Sequence, residues 1–237
     1  MPQPLPILLV PGLLASPRLF EAQIPELWRF GPVTIADHTR DDSMTAIARR
    51  ILVGAPPRFA LAGLSMGGYV AFEILRQAPA RIARLALLDT TARPDTPEQR
   101  AARSEQVVLA AAGRLDEVVE AQFPRLVHAE HRGDARLREI VRQMAQEVGA
   151  EAFARQQQAI TGRADSRPGL EAIHVPTLVL VGEGDQLTPV DRAAEMAQAI
   201  PGARLVTVPG SGHLSTLERP REVTQALVDW LRDSLKS

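Results

Sequence analysis

Three side chains of the kinds that turn a hydroxyl into a nucleophile lie far apart along the chain. Ser65 sits in Leu61-Ala-Gly-Leu-Ser-Met-Gly-Gly-Tyr-Val70, Asp185 in Val181-Gly-Glu-Gly-Asp-Gln-Leu-Thr-Pro189, and His213 in Val208-Pro-Gly-Ser-Gly-His-Leu-Ser215. A serine is a weak nucleophile until a base takes its proton. A histidine, with an ordinary pKa of about 6.5, can take that proton and return it to a leaving group. A carboxylate behind the imidazole holds its tautomer and stabilises the imidazolium. The pattern Gly63-x-Ser65-x-Gly67 follows a short apolar run from Phe59 to Ala62 and precedes the helix-like segment Tyr69 to Leu75. The serine therefore belongs on a sharp strand-to-helix turn, where side chains two residues either way would collide and Gly68 leaves room for helix–strand packing. Strain in that turn would present the hydroxyl in front of a helix N-terminus, whose dipole favours developing negative charge.

Each residue has a plainer reading. A glycine-rich turn can carry an incidental serine, Asp185 can serve only backbone amides, and His213 can be a satisfied loop histidine. The run Gly-Ser-Gly-His after an apolar strand argues against the last, and Gly210 and Gly212 are read as giving His213 freedom to reach across a sheet. Asp89, also at a strand end, is the rival acid. Asp185 is preferred because its loop comes just before the histidine's strand. His38, His128, His131 and His174 lack such a context. His128-x-x-His131 has helical spacing but no third ligand nearby, so it is read as a solvated face, and neither a metal nor a cofactor is assigned. Backbone donors for a developing oxyanion are expected from Met66, next to the serine, and from Leu13, in the Pro11-Gly12-Leu13 turn after the first strand.

The elements that must position these groups read as alternating strands and helices. Apolar strands are expected near 5–10, 33–36, 59–63, 84–88, 176–181 and 203–208. Helices are expected at about 18–27, 43–53 with Ser43 as cap, 66–77, 190–200 and 221–235. Such alternation predicts a parallel sheet wound on both faces, with every strand's carboxyl end on one edge. The turns at 11–15, 63–68, 89–92, 182–188 and 209–214 should then converge where open sheets of this kind bind ligands. From about 92 to 168 no strand-like run occurs, and charged, Ala- and Gln-rich helical segments at 97–112, 114–122, 134–148 and 151–160 suggest an inserted cap. The division expected is a core from 1–91 and 169–237 and a cap from 92–168. Val107, Val108, Phe123, Met144 and Phe153 are the apolar residues expected to face inward from it.

Bulk composition removes other classes. The 237 residues are 45% hydrophobic and 23% charged, with net charge -1, which gives no field for nucleic acid or an anionic membrane. There is no cysteine, hence no disulfide or thiolate chemistry, as suits a reducing compartment. No run approaches a membrane span, and Ile7-Leu-Leu-Val10 is short for a signal sequence and lacks a basic flank, so a soluble cytoplasmic protein is expected. Neither Gly-x-Gly-x-x-Gly nor the phosphate-binding Gly-x-x-x-x-Gly-Lys-[Ser/Thr] occurs. Aromatic content of 4% argues against stacking platforms for sugars or bases.

Along nearly its whole length the chain resembles the small α/β-hydrolases of the esterase, enol-lactone hydrolase and cofactor-free haloperoxidase group. The resemblance rests on Gly-Leu-Ser65-Met-Gly-Gly, on Gly-Glu-Gly-Asp185-Gln-Leu-Thr-Pro, on Gly-Ser-Gly-His213, and on the order serine, acid, histidine. Two segments depart from it. Pro11-Gly12 replaces the usual His-Gly before the oxyanion turn, and Asp37-His-Thr-Arg-Asp-Asp-Ser43 replaces a common Gly-x-Gly-x-Ser. The resemblance implies an α/β-hydrolase fold of about six mostly or wholly parallel strands. The N-terminal hairpin is lacking, and a helical cap follows the fourth strand. It also implies a serine esterase acting through an acyl-enzyme on small to medium, mostly apolar esters. The alternatives are an enol-lactone or C–C bond hydrolase on the same triad, or a non-catalytic ligand receptor. A haloalkane dehalogenase is disfavoured, since similar enzymes with that activity carry Asp where this chain has Ser65. The expected partner is a small-molecule ester; the sequence leaves the oligomeric state, including a homodimer, open.

Overall fold

The computed structural model describes residues 4–232. Six strands form one sheet in the order β2-β1-β3-β4-β5-β6, and every neighbouring pair is parallel. They are β1 (Ile7–Val10), β2 (Val33–Ile35), β3 (Phe59–Leu64), β4 (Ile82–Leu88), β5 (Thr177–Gly182) and β6 (Arg204–Val208). No strand precedes β1 among the described residues, as the missing hairpin required. The central strands are continuous apolar runs because both faces are covered; β3 and β5 are buried at every residue. At the edge, β6 instead alternates between covered and exposed residues.

The nine α-helices among the described residues are α1 (Ile24–Leu27), α2 (Met44–Gly54), α3 (Met66–Gln77), α4 (Pro97–Ala111), α5 (Leu115–Leu126), α6 (Ala135–Thr161), α7 (Val190–Ala199), α8 (Ser215–Glu218) and α9 (Pro220–Arg232). Ser43 caps α2, its hydroxyl accepting the Ala46 N–H at 3.3 Å. The single helix expected at 18–27 is broken into a 3-10 turn (Pro17–Phe20) and the four-residue α1. Pro17 and Pro25 each stand in a first turn, where the missing N–H costs nothing, and so start two short segments. The last helix begins at Pro220; the remainder of the range expected for it lies outside the described residues.

Helices α4, α5 and α6 follow β4 as a helical insertion before β5. The two segments expected at 134–148 and 151–160 are one element bent at Gly149, whose φ of 80° only glycine adopts without strain. Two apolar clusters fill the two faces of the sheet. One packs α2, α3 and α7 against it through Ile47, Val70, Ile74 and Met196. The other packs the N-terminal turns, α9 and part of the insertion through Phe20, Leu27, Phe123 and Leu227.

Candidate active site

The chain order reverses between β1 and β3, which lie side by side with Val10 opposite Gly63. Such a switch point opens a crevice beyond the strand ends. Ser65 stands there, directly after β3 and before α3, with φ 55° and ψ -116°, a conformation that L-residues hold only under strain. The flanking glycines are required by contact. A Cβ on Gly63 would lie 2.2 Å from the Gly67 carbonyl oxygen, and one on Gly67 would lie 2.0 Å from that of Val10. Leu88 and Thr90 pin the bend from β4. The Ser65 N–H donates to Leu88 O at 2.9 Å, and the Thr90 hydroxyl donates to Ser65 O at 2.8 Å.

His213 leaves the end of β6 on a tightly held loop. Its backbone N–H donates to Leu126 O at 2.9 Å, and the Gly212 N–H donates to Glu218 Oε1 at 2.7 Å. A Cβ at Gly212 would sit 2.5 Å from the His128 backbone N. This glycine therefore permits close packing of the insertion, not the loop freedom expected from sequence.

Of the two candidate acids, Asp185 touches the imidazole. Its Oδ2 accepts from His213 Nδ1 at 2.8 Å. Both oxygens are further held by Leu187 N–H at 2.8 Å, Thr188 N–H at 3.0 Å and the Thr188 hydroxyl at 2.7 Å. Burial alone would raise this carboxyl, but the His213 charge and these donors outweigh it and hold it below its ordinary 3.8. Burial would likewise depress His213, and the Asp185 charge overcomes it, leaving the imidazole above 6.5.

Asp89 is engaged elsewhere. Its Oδ1 accepts the Gly182 N–H at 2.8 Å and its Oδ2 is hydrogen-bonded to the Ser215 hydroxyl. Burial, then the neighbouring Asp185 charge, push it up to about 8, so it is largely protonated at neutral pH. Two carboxyls side by side are thus driven to opposite protonation states.

The turn after β1 completes the constellation. A Cβ on Gly12 would lie 3.3 Å from Ser65 Cβ, so this turn runs against the serine. The Leu13 N–H finds no backbone acceptor among the described residues. The Met66 N–H, at the first position of α3, has no acceptor within its helix. All five loops expected to converge contribute to one cavity of about 340 Å³, which Leu13, Ser65, Thr91, Thr188 and His213 line together.

A sequence model of the α/β-hydrolase fold family matches residues 41–220. The chain belongs to that family. A thermophilic esterase from Thermogutta terrifontis superposes on this hydrolase with a TM-score of 0.88 at 34% identity, covering 97% of this chain and 90% of the other. The enol-lactonase from Burkholderia xenovorans LB400 gives 0.85 at 26% identity, covering 96% and 91%. A pimeloyl-[acyl-carrier protein] methyl ester esterase of Aromatoleum aromaticum is 28% identical over 212 residues, spanning 81% of this chain and 82% of its own.

The helical insertion of this hydrolase roofs the cavity, though not with the side chains expected. Met144 lines it. Val108 is 68% exposed, and Phe123 and Phe153 are fully buried in packing clusters and do not themselves line the cavity. Val107 is half-buried and does not line it either. A run at helical spacing marks a covered face without saying which neighbour covers it.

His128 and His131 are also not the solvated face expected. Their side chains are 22% and 19% exposed and pack at the seam between insertion and sheet. There the wholly buried Glu218 carboxylate accepts the His128 N–H and His131 Nδ1–H, each at 2.7 Å, along with Gly212. No group of three metal-ligating side chains occurs among the described residues.

Sequence reasoning missed two site residues. Gln156, fully buried on α6, accepts the Leu14 N–H through Oε1 at 3.2 Å, and Glu218 holds the His213 loop. Neither lies in a motif.

Proposed function

We propose that the protein is a serine hydrolase that cleaves carboxylic ester bonds of small to medium substrates through an acyl-enzyme. Ser65 is the nucleophile, His213 the base, Asp185 the acid that orients it, and Leu13 and Met66 supply the oxyanion N–H groups. The observation that carries this reading is the 2.8 Å Asp185–His213 bond, whose imidazole lines one cavity with a strained serine. Ser65 Oγ attacks the ester carbonyl while His213 Nε2 takes its proton. The oxyanion is held by the two backbone N–H groups, and its collapse expels the alcohol, which receives the proton from His213. Water, deprotonated by the same imidazole, then releases the acid and restores Ser65.

The names of the relatives agree with ester cleavage: two are esterases, and a third is an enol-lactonase. The enol-lactonase keeps lactone opening as a second reading on the same triad. Residues 92–168 serve as a cap over the core on either side of them. Every residue in the reading comes from one chain, so the chemistry itself needs no partner subunit, whether or not the protein forms a homodimer. No helix among the described residues is long and apolar enough to cross a membrane.

The test is hydrolysis of short p-nitrophenyl esters and lactones by the wild type and Ser65→Ala, with fluorophosphonate labelling mapped by mass spectrometry. Loss of turnover in the variant and a label on Ser65 are expected. Equal rates, or a label elsewhere, would remove the assignment.

A further inference from the structure

The cavity has two unlike walls. Val119, Val141, Met144, Ala145 and Leu214 belong to one core cluster and make the first wall apolar. The second is cationic. Arg93, Arg103, Arg125, Arg163 and Arg192 line the cavity against a single lining carboxylate, Asp95, in a chain of net charge -1.

The centre of that wall is a triad. Asp95 lies 2.8 Å from Arg163 Nη1 and 2.6 Å from Arg103 Nε. The Asp95 side chain is 1% exposed, that of Arg163 6% and that of Arg103 21%. Arg163 also stacks over Tyr69, 4.1 Å from the ring centroid. Two guanidiniums on one carboxylate leave an excess positive charge in a largely dehydrated place, which is costly unless an anion joins it. Arg93, by contrast, is matched by Glu195 at 2.8 Å. Arg163 spends three more of its five donors on the Ile160 and Arg93 carbonyls. Arg103 commits three N–H groups, to Asp95 and Gln157, out of the five a guanidinium has, and so keeps donors free at the cavity wall.

We propose that the site takes esters carrying a second, free carboxylate: monoesters or lactones of dicarboxylic acids. That carboxylate is bound by Arg103 beside the Asp95–Arg163 pair, with the apolar part of the substrate against the Val119–Met144 wall. The inference rests on the hydrolase reading of Ser65. One excess charge suits a monoanion, and the planar guanidinium fork suits a carboxylate. Arg125, which has no acceptor among the described residues, adds positive potential that draws such a substrate in, whereas Arg192 is paired with Asp191 at 3.4 Å.

The experiment compares p-nitrophenyl hydrogen adipate with its neutral methyl ester, p-nitrophenyl methyl adipate. The wild type is expected to favour the acid in kcat/KM by about tenfold or more. That ratio should collapse toward one in Arg103→Gln and be partly kept in Arg103→Lys, with melting curves recording whether each variant folds. Free adipate, tested on the wild type and needing no variant, should inhibit neutral-ester hydrolysis competitively. A wild type that treats both esters alike or prefers the neutral one, or a lack of inhibition by adipate, overturns the inference while leaving Ser65 hydrolysis intact. If neither ester turns over and fluorophosphonate leaves Ser65 unlabelled, the hydrolase reading fails first and takes this one with it.

Discussion

Gln156 on the helical insertion and Leu14 on the turn after β1 are 142 positions apart, and the Gln156 Oε1 accepts the Leu14 N–H at 3.2 Å. Leu14 has a φ of 55°, unusual for a residue with a side chain, so the turn needs an outside hold. By occupying the Leu14 donor, Gln156 fixes the peptide that follows Leu13, and hence the aim of the Leu13 N–H. Its own Nε2 has no partner among the described residues. Gln156→Met keeps the shape and removes that orphan donor but leaves the part-buried Leu14 N–H without its acceptor, so about 1 kcal/mol of stability is at stake. The expected outcome is a kcat lower by about tenfold, a fraction of what losing an oxyanion donor outright costs, with KM little changed. Steady-state kinetics beside a melting curve check it. A rise in KM with kcat intact would assign Gln156 to substrate binding instead.

Glu218 gathers three donors on one buried carboxylate: His128 N–H, His131 Nδ1–H and Gly212 N–H. It joins the insertion to the loop that carries His213. Glu218→Gln leaves at least one of these donors without an acceptor in the interior. The expected loss is about 1–3 kcal/mol of stability, with a fall in kcat because the imidazole loses its backing. Chemical denaturation and kinetics at a temperature where the variant stays folded check both. A destabilised variant with wild-type kcat would leave Glu218 a purely structural role.

What the sequence reveals of this site and what it hides divide along one physical line. That Ser65, Asp185 and His213 lie at one edge of the sheet was legible because each follows an apolar strand and has glycines beside it. The parallel sheet was legible because strands covered on both faces are unbroken apolar runs. Gln156, Glu218 and the Asp95 triad were not, because their roles come from contacts between distant segments and nothing local marks them. Arg103 meets Gln157 54 positions away, and Glu218 meets His128 90 positions away. The insertion misled for the same reason. The helical spacing of Val108, Phe123 and Phe153 gave their helices correctly but could not tell a cavity wall from a packed seam or an open face.

Asp185 and His213 make a pH prediction. The imidazole must be neutral to accept the serine proton, and it stands above 6.5 because the Asp185 charge outweighs burial. The acidic limb of kcat/KM is therefore expected above pH 6.5. In Asp185→Asn the largest attraction is gone and burial is opposed only by the weaker pull of Asp89 and Glu218, so the limb moves to lower pH, and kcat falls by about 10³–10⁴-fold as the tautomer is lost. A pH–rate profile of both proteins decides this. An unmoved limb would show that another group controls the titration.

Asp89 makes the opposite prediction for stability. Its folded pKa is about 8 against an ordinary 3.8, so between those values the folded protein holds a proton that the unfolded chain has released. Stability linked to this group is complete below pH 3.8, declines as pH rises, and levels off above pH 8. Asn copies the protonated carboxyl. It can accept the Gly182 N–H, donate to the Ser215 hydroxyl, and never place a second negative charge beside Asp185. Asp89→Asn is therefore expected to melt with the wild type near pH 4 and above it near pH 8.5, by on the order of 5 °C. Thermal melts across that range measure the gap. Two parallel curves would mean that Asp89 is already ionised in the folded protein, with a donor beyond Gly182 and Ser215 holding its charge.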